Sequence, residues 1–333
     1  MRRFLDEKGT FEIIVPINWK YSLQKEKVHT FQDYEIWKSD TFQLSITNLE
    51  TTEDENNFNF FLDSFGKIEK GKIDCYKLPD NIGKEFSIKS WVKRFDKKVA
   101  LFTLTFSNKT DKTLDGLSIK KKVKIVKSII ESFKLIEESK SETELKYYRF
   151  KMFLHGIGAT MDMLNNAVEH GAFIEATCII ANQIDALLRT GIILKQQILN
   201  RNSEIESEWI YQGIKDKKKS EKDIYRKSKE LGIIDDVAHN ELQSLYDDRN
   251  RVIHRFIISE ITLAEVEEIA YSYYKQQEKI NQIIYALESE QIKLNIGMTR
   301  TGTGTPEENN EILAQIKDKL AKLNYFDRKN KII

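Results

Sequence analysis

The sequence predicts an α+β chain in two parts: an antiparallel sheet with helices packed on it, then an all-helical bundle. Two periodicities and one charged break carry that prediction. Apolar residues alternate with period two through residues 1–138, then recur every three or four positions from about residue 142. Between the two lies a polar, charged stretch, 137–144.

In the first part, Phe11, Ile13 and Val15 alternate ahead of Pro16. Phe42, Leu44 and Ile46 repeat the pattern, as do Ala100, Phe102, Leu104 and Phe106, and a further strand is expected over 85–94. Val126, Ile129, Ile130, Phe133 and Ile136 are spaced for one apolar helical face. Residues 1–138 are therefore expected to form an α/β domain.

The second domain is expected over 142–290. Phe153, Ile157, Met161, Leu164 and Val168 form one helical stripe, and Phe173, Ile180, Ile184, Leu187 and Leu188 form a second, with Gly171 as the turn between them. Val266, Ile269, Tyr273, Ile280, Ile284 and Leu287 mark a long last helix after a break at 259–262, which completes a bundle. Residues 291–333 read as a linker and a helical tail. Gly297 opens a Gly-Thr run that lacks the lysine of a phosphate-binding loop, and an amphipathic segment follows at 312–323.

Composition excludes several classes. Lys and Arg total 53 against 52 Asp and Glu, so no global basic field advertises nucleic-acid binding and any RNA contact must be local. Two cysteines, Cys75 and Cys178, supply neither a disulfide framework nor a four-ligand zinc site. The charged N-terminus and the lack of a long uninterrupted apolar run predict a cytoplasmic protein with no membrane span.

The residues that invite chemistry lie in a helix expected over 236–257. Its apolar seam runs through Ala238, Leu242, Leu245, Val252 and Phe256, and position 249 on that seam is an arginine. A guanidinium among apolar neighbours costs several kcal/mol unless it is paired, so it demands an acidic partner, a second subunit or a bound anion such as phosphate. Asp185 and Asp248 are the acidic partners that would make Arg249 merely structural. Asn250 and His254 share a helical face, about 40° apart, whereas Arg249 and His254 diverge by about 140°. One straight helix does not aim Arg249 and His254 at one small group, so a homodimer pairing two such helices is expected.

Arg249, Asn250 and His254, late in a bundle and followed by one long helix, resemble the motif of the HEPN superfamily: an Arg, a polar residue, and a His four to six positions on. The resemblance implies a metal-independent, cofactor-free endoribonuclease that acts as a dimer, of the kind found in toxin-antitoxin and anti-phage defence systems. It also implies Arg249, Asn250 and His254 as the catalytic set. The histidine would move protons at the ribose 2′-OH and the leaving 5′-oxygen while the arginine steadies the charge on phosphorus, leaving 2′,3′-cyclic phosphate ends. Some members bind without cutting, so a non-catalytic dimeric RNA- or partner-binding module is the alternative. In related toxins a tyrosine two residues after the histidine is nucleotidylated; here that position is Phe256.

Other features read as structural. Arg149 and His155 satisfy the loose spacing, but Phe150 replaces the polar residue and they sit at the start of the first bundle helix. His170 and His239 read as surface or cap residues, and the basic stretch 214–230 as a solvated face that could also steer RNA. Segments 11–19 and 128–136 resemble PsbP-like proteins, which implies a sensor domain, or one that docks an antitoxin or trigger protein. Trp19, Trp37 and Trp91 are expected in the core.

Overall fold

The computed structural model describes residues 1–25, 27–33, 40–64, 69–70, 75–83, 85–107, 119–212, 218–299 and 314. The chain divides into two compact units between Glu137 and Glu138. Together they make an α+β protein with antiparallel sheets.

The first unit runs β1 (Arg2–Leu5), β2 (Phe11–Val15), β3 (Trp19–Gln24), β4 (Val28–Asp33), β5 (Thr41–Asn48), α1 (Thr52–Asp63), β6 (Glu69–Lys70), β7 (Tyr76–Lys77), β8 (Asn81–Ile82), β9 (Phe86–Arg94), β10 (Lys98–Ser107), α2 (Ile119–Ser132) and β11 (Lys134–Leu135). The larger sheet has the order β3-β4-β5-β10-β9-β7-β6, with β8 also on β9; the smaller is β1-β2-β11. The pleat sorts the side chains of β10 onto two faces. Ala100, Phe102, Leu104 and Phe106 pack in a core with Val126, Ile129 and Ile130 of α2. Val99 and Leu101 turn the other way, toward Phe58 and Leu62 of α1. Trp19 and Trp91 are core residues, and Trp37 lies outside the described residues.

One expectation fails here. The helical face expected to run through Ile136 stops at Ser132, because β11 leaves the helix to pair with β2, and the Ile136 amide donates to the Thr10 carbonyl. Phe133 is buried all the same. Burial alone produced the helical spacing, and the backbone pairing of a third strand overrode it.

The second unit comprises α3 (Glu138–Glu169), α4 (Phe173–Asn200), a 3-10 turn at Ser207–Trp209, α5 (Glu221–Glu230), α6 (Asp236–Arg255) and α7 (Leu263–Leu294). α4 is the centre of this bundle. Ile180, Ile184, Leu188 and Ile192 share a core with Val266, Tyr273, Ile280, Ile284 and Leu287 of α7. Two glutamine pairs fix the register of α4 on α7. Gln277 Nε2 donates to Gln183 Oε1 at 2.5 Å, and Gln291 Nε2 donates to Gln197 Oε1 at 2.8 Å. By length and hydropathy α4 could cross a membrane, but 67% of its most apolar window is buried inside the bundle.

Two details depart from the sequence reading. All but the first residue of the charged stretch 137–144 belongs to the first turns of α3, held in part by an i,i+4 pair of Glu142 and Lys146 at 2.8 Å. The stripe expected to bury α3 is only half covered: Met161 and Val168 are 50% and 53% exposed, while Phe150, His155, Ala159 and Ala167 are buried. Small residues let α3 lie close on α4, which turns the larger apolar side chains to an open face. Beyond α7, Asn295 closes the helix in the left-handed region (φ 52), and Met298 and Thr299 bond back to Gln197 and Gln291. The expected tail segment at 312–323 and most of the Gly-Thr run lie outside the described residues, Ala314 apart.

Candidate functional site

α5 and α6 bring the candidate residues into place. Ser220 and Asp223 close a capping box on α5, each side chain bonded to the other's backbone amide. Ile224, Tyr225 and Ser228 then face the core. Gly232 turns the chain in the left-handed region (φ 64), and Asp235 caps α6 by accepting from the Ala238 amide at 2.8 Å. On α6, Leu242 and Val252 are fully buried, so Arg249 is drawn inward on the same seam.

Arg249 finds its acidic partner on α5. Its Nη1 donates to Glu221 Oε1, with side chains only 13% and 19% exposed. The expected alternatives are engaged elsewhere: Asp248 pairs with Arg251 at 3.7 Å and Asp185 with Arg189 at 2.6 Å. Glu221 was missed because nothing in linear spacing joins residues 28 positions apart. The legible signal was the S-x-x-D box at Ser220, which starts a helix and sets Glu221 at its first position.

The remaining valences of Arg249 are informative. Nη2 donates to Asn250 Oδ1 at 3.0 Å, its guanidinium carbon stands 4.7 Å from the Tyr246 ring centroid, and Nε is buried with no acceptor. Burial works against the charge, and the Glu221 carboxylate more than offsets it, holding the guanidinium above its ordinary pKa. Asn250 thus turns to Arg249, not to His254.

A second pair lies within electrostatic reach. Arg189 on α4 donates through Nε to Asp185, through Nη1 to the Trp209 carbonyl at 2.8 Å, and through Nη2 to the Lys219 carbonyl at 3.3 Å. Burial raises the Asp185 carboxyl above the usual carboxylate range, against the pull of Arg189. Asp185 Oδ1 has no hydrogen-bond partner. Tyr225 donates to Glu221 Oε2 at 3.3 Å and Tyr273 to the Leu245 carbonyl at 2.6 Å, and burial pushes both phenols up. The Cys178 thiol is raised by burial as well, with Arg249 opposing.

His254 stands apart. It is exposed in the last turn of α6, and no hydrogen bond joins it to Arg249 or Asn250. Four apolar side chains nearby in the sequence, Ile253, Ile257, Ile258 and Leu263, are exposed, Ile257 at 94% and Ile258 at 80%. A groove of about 820 Å³ lies on the same unit, walled by Leu164 and Val168 of α3, Phe173 of α4, and Ala264, Tyr271 and Tyr274 of α7.

The other candidates are where a structural role puts them. Arg149 stacks on Tyr211 at 3.9 Å and His155 is buried. His170 is exposed, its Nδ1 2.8 Å from the Asn166 carbonyl oxygen. The lysines and arginines of α5 lie in ion pairs such as Arg226 with Asp223 at 2.6 Å and Lys229 with Asp236 at 2.5 Å.

The chain matches no protein-family model, and no curated protein is detectably similar to it. Among solved structures it is similar to a protein of Bacteroides thetaiotaomicron at 11% identity, over 56% of this chain and 76% of that one, with a TM-score of 0.32. A likeness at that level defines neither a family nor an activity.

Proposed function

We propose that the protein is a metal-independent RNA endonuclease of the HEPN type, cytoplasmic, and a toxin or anti-phage effector. The observation that carries this reading is the arginine on a core-facing seam with Asn250 bonded to it and buried Nε capacity to spare, five residues ahead of an exposed histidine on the same helix. In the reaction His254 takes the proton of the ribose 2′-OH. The 2′-oxygen bonds to phosphorus, the bond to the 5′-oxygen breaks, and a proton returns to that leaving oxygen. Arg249 neutralises the added charge on the non-bridging oxygens.

Because Arg249 and His254 diverge, the active unit is a homodimer in which one copy's arginine faces its partner's histidine. The exposed isoleucines beside His254, the uncovered stripe of α3 and the apolar groove supply surface for such pairing. The first unit, PsbP-like in this reading, senses a trigger or docks an antitoxin.

The test is incubation of the purified chain, in EDTA, with an RNA and the DNA of the same sequence. RNA cut to fragments with 2′,3′-cyclic phosphate ends, with the DNA intact, is expected, since only RNA carries the attacking hydroxyl. Uncut RNA, or equal cutting of both, contradicts the proposal. One observation favours a second reading, a non-catalytic binding module: the ion pair with Glu221 is also what a purely structural arginine makes.

A further inference from the structure

Arg249 is the residue the proposed nuclease needs for phosphate, and a carboxylate already holds it. Glu221 occupies Nη1, Asn250 occupies Nη2, and Nε is buried without an acceptor. A guanidinium N–H donates to a carboxylate or a phosphate oxygen in the same geometry, so the two compete for Nη1. Both cannot sit there together, because two anions sharing a half-buried site repel.

Resting on the ribonuclease reading, we infer that Glu221 is an internal stand-in for the RNA phosphate, a latch that keeps Arg249 unavailable until a nucleic-acid phosphate displaces it. Two features suit it to that role. Glu221 is the first residue of α5, where the positive end of the helix favours an anion, so the position suits the carboxylate and its replacement alike. Its hold is also divided, since Oε2 accepts from Tyr225 at a long 3.3 Å while Oε1 accepts from Arg249. The guanidinium keeps a partner in both states: Asn250 stays on Nη2, and Nη1, freed of Glu221, donates to a phosphate oxygen. Apparent affinity for RNA is then the intrinsic affinity scaled down by the small fraction of molecules with the latch open.

The experiment measures binding of the full chain to a fluorescein-labelled 2′-O-methyl RNA, which lacks the attacking hydroxyl and stays whole. Glu221→Gln, which keeps the shape and loses the charge, is expected to bind about ten-fold tighter than the wild type and to gain about 0.7 in salt slope, the value of one further phosphate contact on a single strand. Arg249→Gln weakens binding, and the gain vanishes in Glu221→Gln/Arg249→Gln. Glu221→Asp, shorter by one methylene and with its charge kept, falls between, and it carries the test should the Gln variant fold poorly. Equal affinity of wild type, Glu221→Gln and Glu221→Asp, with Arg249→Gln still weaker, overturns the latch and leaves the nuclease reading standing. A gain that persists without Arg249 also overturns it. Wild-type binding by Arg249→Gln removes the phosphate role itself, and both readings with it.

Discussion

Arg249 on α6 and Glu221 on α5 close a half-buried ion pair across the two helices, while His254, five residues beyond Arg249, stands in solvent. The same helix therefore carries one catalytic candidate held inside the fold and one presented outside it. In the proposed nuclease that asymmetry is what calls for a second copy and gives Glu221 its part beside the three motif residues.

The pair should be visible in stability. In a double-mutant cycle of Arg249→Met and Glu221→Gln followed by urea unfolding, each single change leaves a half-buried charge without its counter-charge, and the double change leaves none. The expected coupling is about 1–3 kcal/mol, larger than that of an exposed pair. A coupling indistinguishable from zero would make the contact incidental.

Asp185 gives a pH signature. Because burial raises its carboxyl, the native state holds a proton that the unfolded chain has released at about pH 4. Stability from this group is therefore fully present below the unfolded pKa and is lost as pH rises through the raised native value. Asp185→Asn is neutral throughout, and its lost pairing with Arg189 adds an offset rather than a slope. The stability of wild type relative to the variant should decline as pH rises from about 4. A relative stability that climbs over the same range contradicts this assignment.

Much of the fold was legible because burial imposes a period. The alternation at Phe102 and Leu104 and the helical spacing of Ile180, Ile184 and Leu188 both end in fully packed cores. What escaped is what periodicity does not encode. The switch to β11 depends on a partner strand at Phe11, and the exposure of Met161 depends on how closely Ala159 lets α3 approach. At the site, the seam made Arg249 conspicuous and implied a partner. Which carboxylate answered was a matter of three dimensions, and Glu221 answered through a helix start read only as a basic stretch.

Gly191 tests the packing that supports α4. A Cβ there would meet Ile284 Cδ1 at 2.9 Å and Ile233 Cγ2 at 3.3 Å. Alanine gains about 1 kcal/mol of helix propensity, but overpacking costs about 1–3 kcal/mol, so Gly191→Ala is expected to be neutral to destabilising. A thermal midpoint above that of the wild type contradicts the close approach.

The apolar surface near His254 should govern assembly rather than folding. Ile257→Lys and Tyr271→Lys alter exposed side chains, so monomer stability should move by no more than about 0.5 kcal/mol. In sedimentation the variants should shift from dimer to monomer, and RNA cleavage should fall with the dimer. A monomer that retains full activity rules out a site shared between copies.

The most direct measurement of the central claim is the RNA cleavage rate in EDTA for the wild type beside Arg249→Ala, Asn250→Ala and His254→Ala, each with its thermal midpoint recorded. We predict that the wild type cuts, that Arg249→Ala and His254→Ala lose at least about 100-fold, and that His254→Ala, altered at an exposed position, melts with the wild type. Equal rates across the set, or no cleavage by any of them, would contradict the account.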